Sequence, residues 1–184
     1  LLSGNIMEVL NKGGSLREDL VTEIKRFEKL YPDKGGMIDG LTGLYNERYL
    51  RSRLDEEIAR FGRFKRPFSL IIMNIDEFRH YNEVNGTEEG DKVLKEMADM
   101  IKKNTRAQNS ICRRGGSSFA IVLTETYIDI AFQVAEKLKG FIECHPFPHR
   151  EKQPAGRLTI AAGVASFNDD TGTSDGLIIK AQKA

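Results

Sequence analysis

Residues 68–76 form the segment that most limits how this chain can fold. They read FSLIIMNID, a short and nearly unbroken apolar run whose end carries two polar residues, Asn74 and Asp76. A run of this length without alternating polar positions is typical of a central strand buried on both faces of a sheet. Ligands commonly bind at the carboxyl end of such a strand. The segment therefore predicts a layered domain with polar residues of functional interest at one strand end.

Amphipathic helices and a hairpin are predicted around this strand. In chain order, the predicted elements are a helix at 46–64, the strand at 68–76, a helical turn at 77–84, a helix at 88–104, a hairpin at 111–123, a helix at 127–142, a strand at 158–167 and a helix from 175. Each helix has apolar residues three or four positions apart, and the hairpin turns at Gly115-Gly116. This order predicts an α/β fold (an α+β sandwich) with a mixed central sheet and flanking helices.

Charge and cysteine content exclude several classes of protein. The 28 basic and 27 acidic residues leave a net charge of +1, so no patch for nucleic acid or for an anionic membrane is expected. No apolar run reaches the roughly 18 residues of a membrane span, and we expect no membrane contact in this segment. Cys112 and Cys144 form no CxxC pair, which favours buried free thiols over a zinc or redox site. A cytoplasmic domain is expected, although the parent protein could be membrane-anchored outside this segment.

The N-terminal residues are expected to be separate from this domain. Residues 15–31 carry one apolar stripe at helical spacing, and the proline and glycines at 32–36 end that helix. The helix is either the end of a signalling coiled coil or a helix packed on its own domain. We therefore divide the chain into a linker or signalling helix at 1–36 and a domain at 37–184. The C-terminal end is expected to be truncated, because the last residues read as the middle of a helix.

Four sequence blocks together resemble one known family. Residues 39–46 (DGLTGLYN), residues 74–82 (NIDEFRHYN), Gly90-Asp91 and residues 113–119 (RRGGSSF) follow one another in this order. They are similar to the D-x-L-T-G-L-x-N, D-x-D-x-F-K-x-x-N, Gly-Asp and R-Y-G-G-D-E-F motifs of GGDEF domains, the diguanylate cyclase family. The resemblance covers residues 39–184. It implies a nucleotidyl-cyclase-like sheet whose hairpin carries the signature turn, here GGSSF in place of GGDEF.

The resemblance also implies a chemistry, and this chain departs from it. Active members condense two GTP molecules into cyclic di-GMP, with two divalent cations held by the first Asp of D-x-D and by the acidic pair of GGDEF. Those positions are Asn74, Ser117 and Ser118 here, and Mg²⁺ prefers anionic oxygen ligands. We therefore expect a degenerate site with no intact catalytic residue and no metal. Asp76 is the one carboxylate left for a metal, and its favoured interpretation is a helix N-cap.

Other parts of the nucleotide site match the family. The nucleotide-binding residues that the resemblance implies are Asn82, Asp91, Phe78, Arg79, Gly115 and Gly116. Asn82 and Asp91 stand where the family binds the guanine edge, and Arg79 takes the place of a phosphate-binding lysine. The backbone N–H of Phe78 would lie at a helix N-terminus, which favours anions. The alternative is that Asn82 and Asp91 are ordinary solvated residues and that the two glycines only form a turn.

A remnant of an inhibitory product site is also implied. Active members often carry R-x-x-D shortly before the signature, and this chain has Arg106 and Asn109 at that spacing. Arg106 can contact a phosphate or a guanine edge, whereas Asn109 cannot accept two guanine N–H bonds as Asp does. The alternative is a solvated pair without a ligand.

These observations predict a catalytically degenerate domain in bacterial cyclic di-GMP signalling, acting as a regulatory, nucleotide-sensing or protein-interaction module. One alternative is a weak but active diguanylate cyclase, and another is a dimerisation or docking domain that binds no nucleotide. No cofactor would be required, and Mg²⁺ would take part only with residual GTP binding. Expected partners are a guanine nucleotide, GTP or cyclic di-GMP, and either a second copy or a sensor or effector domain of the same protein. Nucleic acid is not expected.

Overall fold

The computed structural model describes residues 36–167 and 172–184, so the helix predicted at 15–31 lies outside the described residues. The strands are β1 (Tyr45–Asn46), β2 (Phe68–Ile75), β3 (Ser110–Gly115), β4 (Ser118–Thr124) and β5 (Ile160–Ser166), and the helices are α1 (Glu47–Phe64), α2 (Phe78–Asn85), α3 (Thr87–Lys103), α4 (Ile128–Cys144) and α5 (Ser174–Lys183). A single 3₁₀ turn at Arg150–Lys152 interrupts the loop before β5. The predicted α/β class and mixed sheet are confirmed.

The strands form one five-stranded sheet in the order β1-β3-β4-β2-β5. β2 lies between β4 and β5 and is antiparallel to both, while the two residues of β1 pair in parallel with β3. Residues 68–73 are almost fully inaccessible to solvent, as the apolar run predicts. Asn74 is the one exposed residue of β2, so the polarity of the strand changes at its carboxyl end.

Alternate residues of β2 enter two different hydrophobic cores, because successive side chains of a strand point to opposite faces. Ile71, Met73 and Ile75 pack with residues of α3 and α4 on one face. Phe68, Leu70 and Ile72 pack with residues of α1 and α5 on the other face. The central strand therefore holds both helical layers of the domain in place.

At Gly163 the backbone of β5 lies close to the backbone of α5. A Cβ built at Gly163 would overlap the backbone carbonyl oxygen of Ala181 and would lie 3.1 Å from its carbonyl carbon. Glycine is therefore required where the helix backbone lies directly on the strand.

The expectation that both cysteines are buried is wrong for one of them. Cys112 is inaccessible on β3, whereas Cys144 ends α4 and is exposed. Burial raises the pKa of the Cys112 thiol to about 12. Because the thiolate is the reactive form, Cys112 is held unreactive both by its inaccessibility and by its pKa.

We expect a thiol reagent at pH 8 to modify one cysteine of the native protein and two after denaturation. Absorbance titration with a chromogenic disulfide would measure both counts, and Cys144→Ser should reduce the native count to zero. A native Cys112 that reacts as fast as Cys144 would contradict the buried position of β3.

Candidate functional site

An open cleft lies at the carboxyl end of β2, between α2 and the β3–β4 turn. Its volume is about 620 Å³, and the residues around it are Ile75, Glu77, Phe78, Arg79, Asn82, Glu83, Thr87, Gly116 and Ser117. Five residues predicted as site residues or degenerate positions are thus together: Phe78, Arg79, Asn82, Gly116 and Ser117. Sequence reasoning did not single out Glu83 or Thr87 for this cleft.

Two strands supply neutral side chains beside the cleft. Asn74 on β2 is directly opposite Ser118 on β4, and the backbone N–H of Ile75 donates to the carbonyl oxygen of Ser117 at 3.2 Å. The three positions at which the resemblance implies carboxylates therefore lie close together, at the paired ends of β2 and β4 and in the turn just before β4. They present one amide and two hydroxyl groups, none of which is charged at neutral pH.

Asp76 is not the N-cap that the sequence predicts. Its carboxylate Oδ2 accepts from the Thr159 hydroxyl at 2.7 Å, and its backbone N–H donates to the Thr159 carbonyl oxygen at 2.9 Å. The residue at the cap position of α2 is Glu77, which makes no side-chain cap bond. Asp76 therefore joins β2 to the start of β5 instead of capping the helix.

The start of α2 presents backbone donors to the cleft. Glu77 adopts a left-handed conformation with φ 50°, and the helix begins at Phe78. The N–H groups of a first helical turn have no intrahelical acceptor, and the helix dipole favours an anion there. The positively charged guanidinium of Arg79, on the same turn, extends into solvent. Its side chain is 92% exposed and pairs with Glu83 at 2.9 Å, a surface ion pair that holds it only weakly.

Asn82 is the most unusual side chain of the cleft. Its Oδ1 atom is buried and has no hydrogen-bond partner in the part of the chain that the structure describes. Gly90 on α3 leaves room for it, since a Cβ there would overlap Oδ1 and lie 2.9 Å from Cγ of Asn82. An unpartnered buried acceptor costs about 1–3 kcal/mol, so a bound donor group would relieve it. Asp91, the second predicted guanine contact, follows Gly90 and is exposed, but it does not line the cleft.

Arg113 connects the hairpin turn to the loop before β1 through hydrogen bonds to both segments. Its Nε and Nη2 atoms donate to the carbonyl oxygen of Gly116 at 3.1 and 2.8 Å, and its Nη1 donates to both Asp39 carboxylate oxygens at 3.1 and 3.2 Å. Asp39 also accepts from the backbone and hydroxyl of Thr42. Burial acts to raise the pKa of Asp39, but the hydrogen bonds from Thr42 and Arg113 outweigh burial and hold that pKa below its usual value.

The two predicted turn glycines lie beside Arg113, which donates hydrogen bonds to the carbonyl oxygen of Gly116. Gly115 ends β3 with φ 117°, and Gly116 follows with φ 51°, conformations that favour glycine. A register shift between Arg113 and Gly115 makes a β-bulge just before the turn, which directs Gly116 and Ser117 toward the cleft.

Arg106 and Asn109 lie in a different place. They line a separate groove of about 300 Å³ between the loop after α3 and helix α4. No residue around this groove also lines the cleft. The predicted residues that line a cavity are thus divided between the cleft and this groove. Neither cavity is lined by Asn74, Asp91, Gly115 or Ser118.

The sequence profile of the family described as "Diguanylate cyclase, GGDEF domain" matches residues 36–184. The chain belongs to the GGDEF domain family. The response regulator PleD of Caulobacter vibrioides is 31% identical over 145 residues, which cover 79% of this chain and 32% of PleD. The diguanylate cyclase DgcP of Pseudomonas aeruginosa is 32% identical over 168 residues, covering 90% of this chain and 24% of DgcP. This GGDEF chain therefore spans about a third or less of these relatives.

Solved structures share the GGDEF fold. The active GGEEF domain of a diguanylate cyclase from Vibrio cholerae superposes with a TM-score of 0.68 at 28% identity, covering 76% of this chain and 86% of that one. The coiled coil and GGDEF domain of DgcB from Caulobacter crescentus, in complex with c-di-GMP, gives a TM-score of 0.75 at 21% identity, covering 93% of this chain and 92% of that one. Among the described residues, no helix is long and apolar enough to cross a bilayer.

The side chains of this GGDEF domain do not fit the Mg²⁺ that the family implies. Mg²⁺ prefers carboxylate oxygens in octahedral order, and the strand ends offer Asn74, Ser117 and Ser118 instead. Asp76 is a single carboxylate beside these positions, and its Oδ2 atom accepts a hydrogen bond from Thr159. Within residues 36–167 and 172–184, no cluster of three or more His, Cys, Asp or Glu residues could hold a metal ion.

Proposed function

We propose that this GGDEF domain is a regulatory module of cyclic di-GMP signalling that binds a guanine nucleotide without converting it. The observation that carries the proposal is the pairing of Asn74 with Ser118 across β2 and β4, next to Ser117. Phosphoryl transfer in nucleotide enzymes depends on cations that neutralise charge on the phosphates. With neutral side chains at Asn74, Ser117 and Ser118, the cleft lacks the carboxylates that the resemblance implies for holding those cations.

Nucleotide binding is supported by a different set of groups. The unpartnered Oδ1 of Asn82 can accept an N–H from the guanine edge, and the exposed Asp91 carboxylate lies one residue beyond Gly90 to accept a second. The backbone N–H groups at the start of α2 and the Arg79 guanidinium can receive a phosphate. These contacts need no metal, because the phosphate would meet N–H donors and a cation directly.

The proposal predicts binding without turnover. Incubation with GTP and Mg²⁺ or Mn²⁺ should yield no cyclic di-GMP above a boiled control when the products are separated by chromatography. Titration calorimetry should detect GTP binding, and chelation of divalent cations should change the affinity by less than about threefold, because no carboxylate pair recruits the ion.

The active GGEEF domain from Vibrio cholerae provides the positive control for the assay. ATP provides the control for base recognition, since its adenine edge offers no N1–H to Asn82 or Asp91. Formation of cyclic di-GMP would overturn the loss of catalysis. Absence of heat with GTP would overturn the nucleotide-binding role and leave a docking domain.

A further inference from the structure

The charged residues around the cleft at the end of β2 do not suit a ligand with several phosphates. Among the described residues that line the cleft, the charged ones are Glu77, Arg79 and Glu83, two acidic and one basic. Ser117 is neutral where the resemblance implies a carboxylate that would recruit a divalent cation. The side chains of the cleft itself therefore set the charge that a ligand meets, and that charge is negative overall.

The basic side chain of this lining is already paired with an acidic one. Nε of Arg79 donates to Oε1 of Glu83 at 2.9 Å, one helical turn away on α2. The two side chains are 92% and 59% exposed, so the ion pair is weak and can open for a phosphate. Together with the N–H groups at the start of α2, Arg79 then provides for one phosphate group. Among the described residues, no second cation lines the cleft to receive another phosphate.

A longer phosphate chain would bring negative charge beside the two carboxylates. Each further phosphate of GDP or GTP adds charge that Glu77 and Glu83 repel, and this repulsion acts over the short distances within one cleft. The divalent cations that the resemblance implies for active members would offset such repulsion. Without carboxylates to recruit those cations, the cleft favours the ligand that carries the fewest phosphates while still using the donors at the start of α2.

We propose that the preferred ligand of this cleft is a guanine nucleoside monophosphate, and that Glu83 selects against nucleotides with longer phosphate chains. The inference rests on the guanine-binding function proposed above and adds the phosphorylation state of the ligand. The unpartnered Oδ1 of Asn82 accepts from the base, and Arg79 with the N–H groups of α2 binds the single phosphate. The carboxylate of Glu83 repels a second and a third phosphate.

Guanosine, GMP and GTP test the proposal, because they share the base and the sugar and differ in their phosphates. In titration calorimetry with a chelator of divalent cations, we expect GMP to bind about fivefold more tightly than either guanosine or GTP, the size of effect typical of exposed charges. GTP should still bind measurably. Raising the KCl concentration from about 0.05 M to about 0.5 M should bring GMP and GTP within about twofold of each other, because salt screens the repulsion.

A matched pair of variants assigns the selection to Glu83. Glu83→Gln removes the repelling carboxylate and releases Arg79, so it should raise the GTP affinity to within about twofold of the GMP affinity. Glu56→Gln is the control, since Glu56 is 61% exposed and pairs with Arg53 on α1 at 3.0 Å, but it does not line the cleft. Glu56→Gln should leave the preference for GMP unchanged.

The possible results separate this inference from the proposed function. GTP that binds the wild type as tightly as GMP, guanosine that binds as tightly as GMP, or equal effects of the two variants would overturn the inference and leave guanine recognition intact. Absence of heat with guanosine, GMP and GTP alike would overturn the proposed nucleotide binding and the inference with it.

Discussion

Replacing Gly90 with alanine is expected to weaken GTP binding by at least about tenfold while the domain stays folded. The new methyl group would overlap Oδ1 of Asn82 and approach the Phe78 ring to 3.2 Å, so Asn82 must leave its position in the cleft. The loss follows from removing a hydrogen bond that a buried acceptor makes to the bound base, worth about 1–3 kcal/mol. The helix itself tolerates the change, because alanine has a higher helix propensity than glycine. Calorimetric titration with GTP measures the effect.

Gly62→Ala is the matched control for this prediction. Gly62 lies within α1, and a Cβ there would meet nothing within 4 Å. Both variants add one methyl group to a helix, yet only the change at Gly90 displaces a cleft residue. If Gly90→Ala bound GTP as well as Gly62→Ala does, Asn82 would have no part in nucleotide recognition.

Replacing Arg113 with alanine is expected to lower the free energy of unfolding by about 3 kcal/mol and to impair GTP binding. The variant removes charge-assisted bonds to Asp39 and to the carbonyl oxygen of Gly116, and it leaves a partly buried carboxylate without its cation. The turn that carries Gly116 and Ser117 would lose its attachment to the preceding loop. Urea unfolding followed by circular dichroism gives the first quantity, and calorimetry gives the second.

Arg114→Ala is the control variant for Arg113→Ala. It distinguishes an effect of displacing the turn from a general effect of removing a positive charge. Arg114 is the next residue of β3, its side chain is 14% exposed against 12% for Arg113, and it pairs with Glu47 on α1 at 2.7 Å. We expect Arg114→Ala to destabilise the domain but to keep the GTP affinity within about threefold, since neither partner reaches the cleft. Equal losses of affinity in both variants would argue against a specific role for the Arg113 link.

Local sequence patterns were sufficient for the described helices and for the four longer strands. The apolar spacing of residues 46–64 predicted α1 to within one residue, because a helix with one buried face repeats its apolar positions at a fixed interval. The continuous run at 68–76 predicted β2 as a central strand for a similarly local reason. The two-residue strand β1 was missed, since a strand of that length carries no periodic signal.

Contacts between distant segments account for the errors. Asp76 was assigned as a cap from its neighbours in sequence, but Thr159 at the start of β5 competes for the same carboxylate. Cys144 was expected to be buried, and it is exposed at the last residue of α4. The Asp76 contact depends on the pairing of β2 with β5, which neither segment encodes by itself.

The cleft was predicted in part. The motif blocks named Phe78, Arg79 and Asn82, and the structure brings them together at the strand end. The fit between Asn82 and Gly90 was not predictable, because it depends on how closely α3 approaches α2. The position of Lys137 beside Arg106 and Asn109 was not predictable either, since α4 lines their groove only through tertiary packing.

The cross-strand register of Asn74 and Ser118 has a consequence for the engineering of this domain. Metal ligation would need carboxylates on both strands at once, and either substitution alone would create an unbalanced negative charge without recruiting a cation. The effects of the two changes are therefore expected to be non-additive, because the positions are paired across adjacent strands. If the proposed loss of catalysis holds, an engineered metal site would need acidic residues on both strands introduced together.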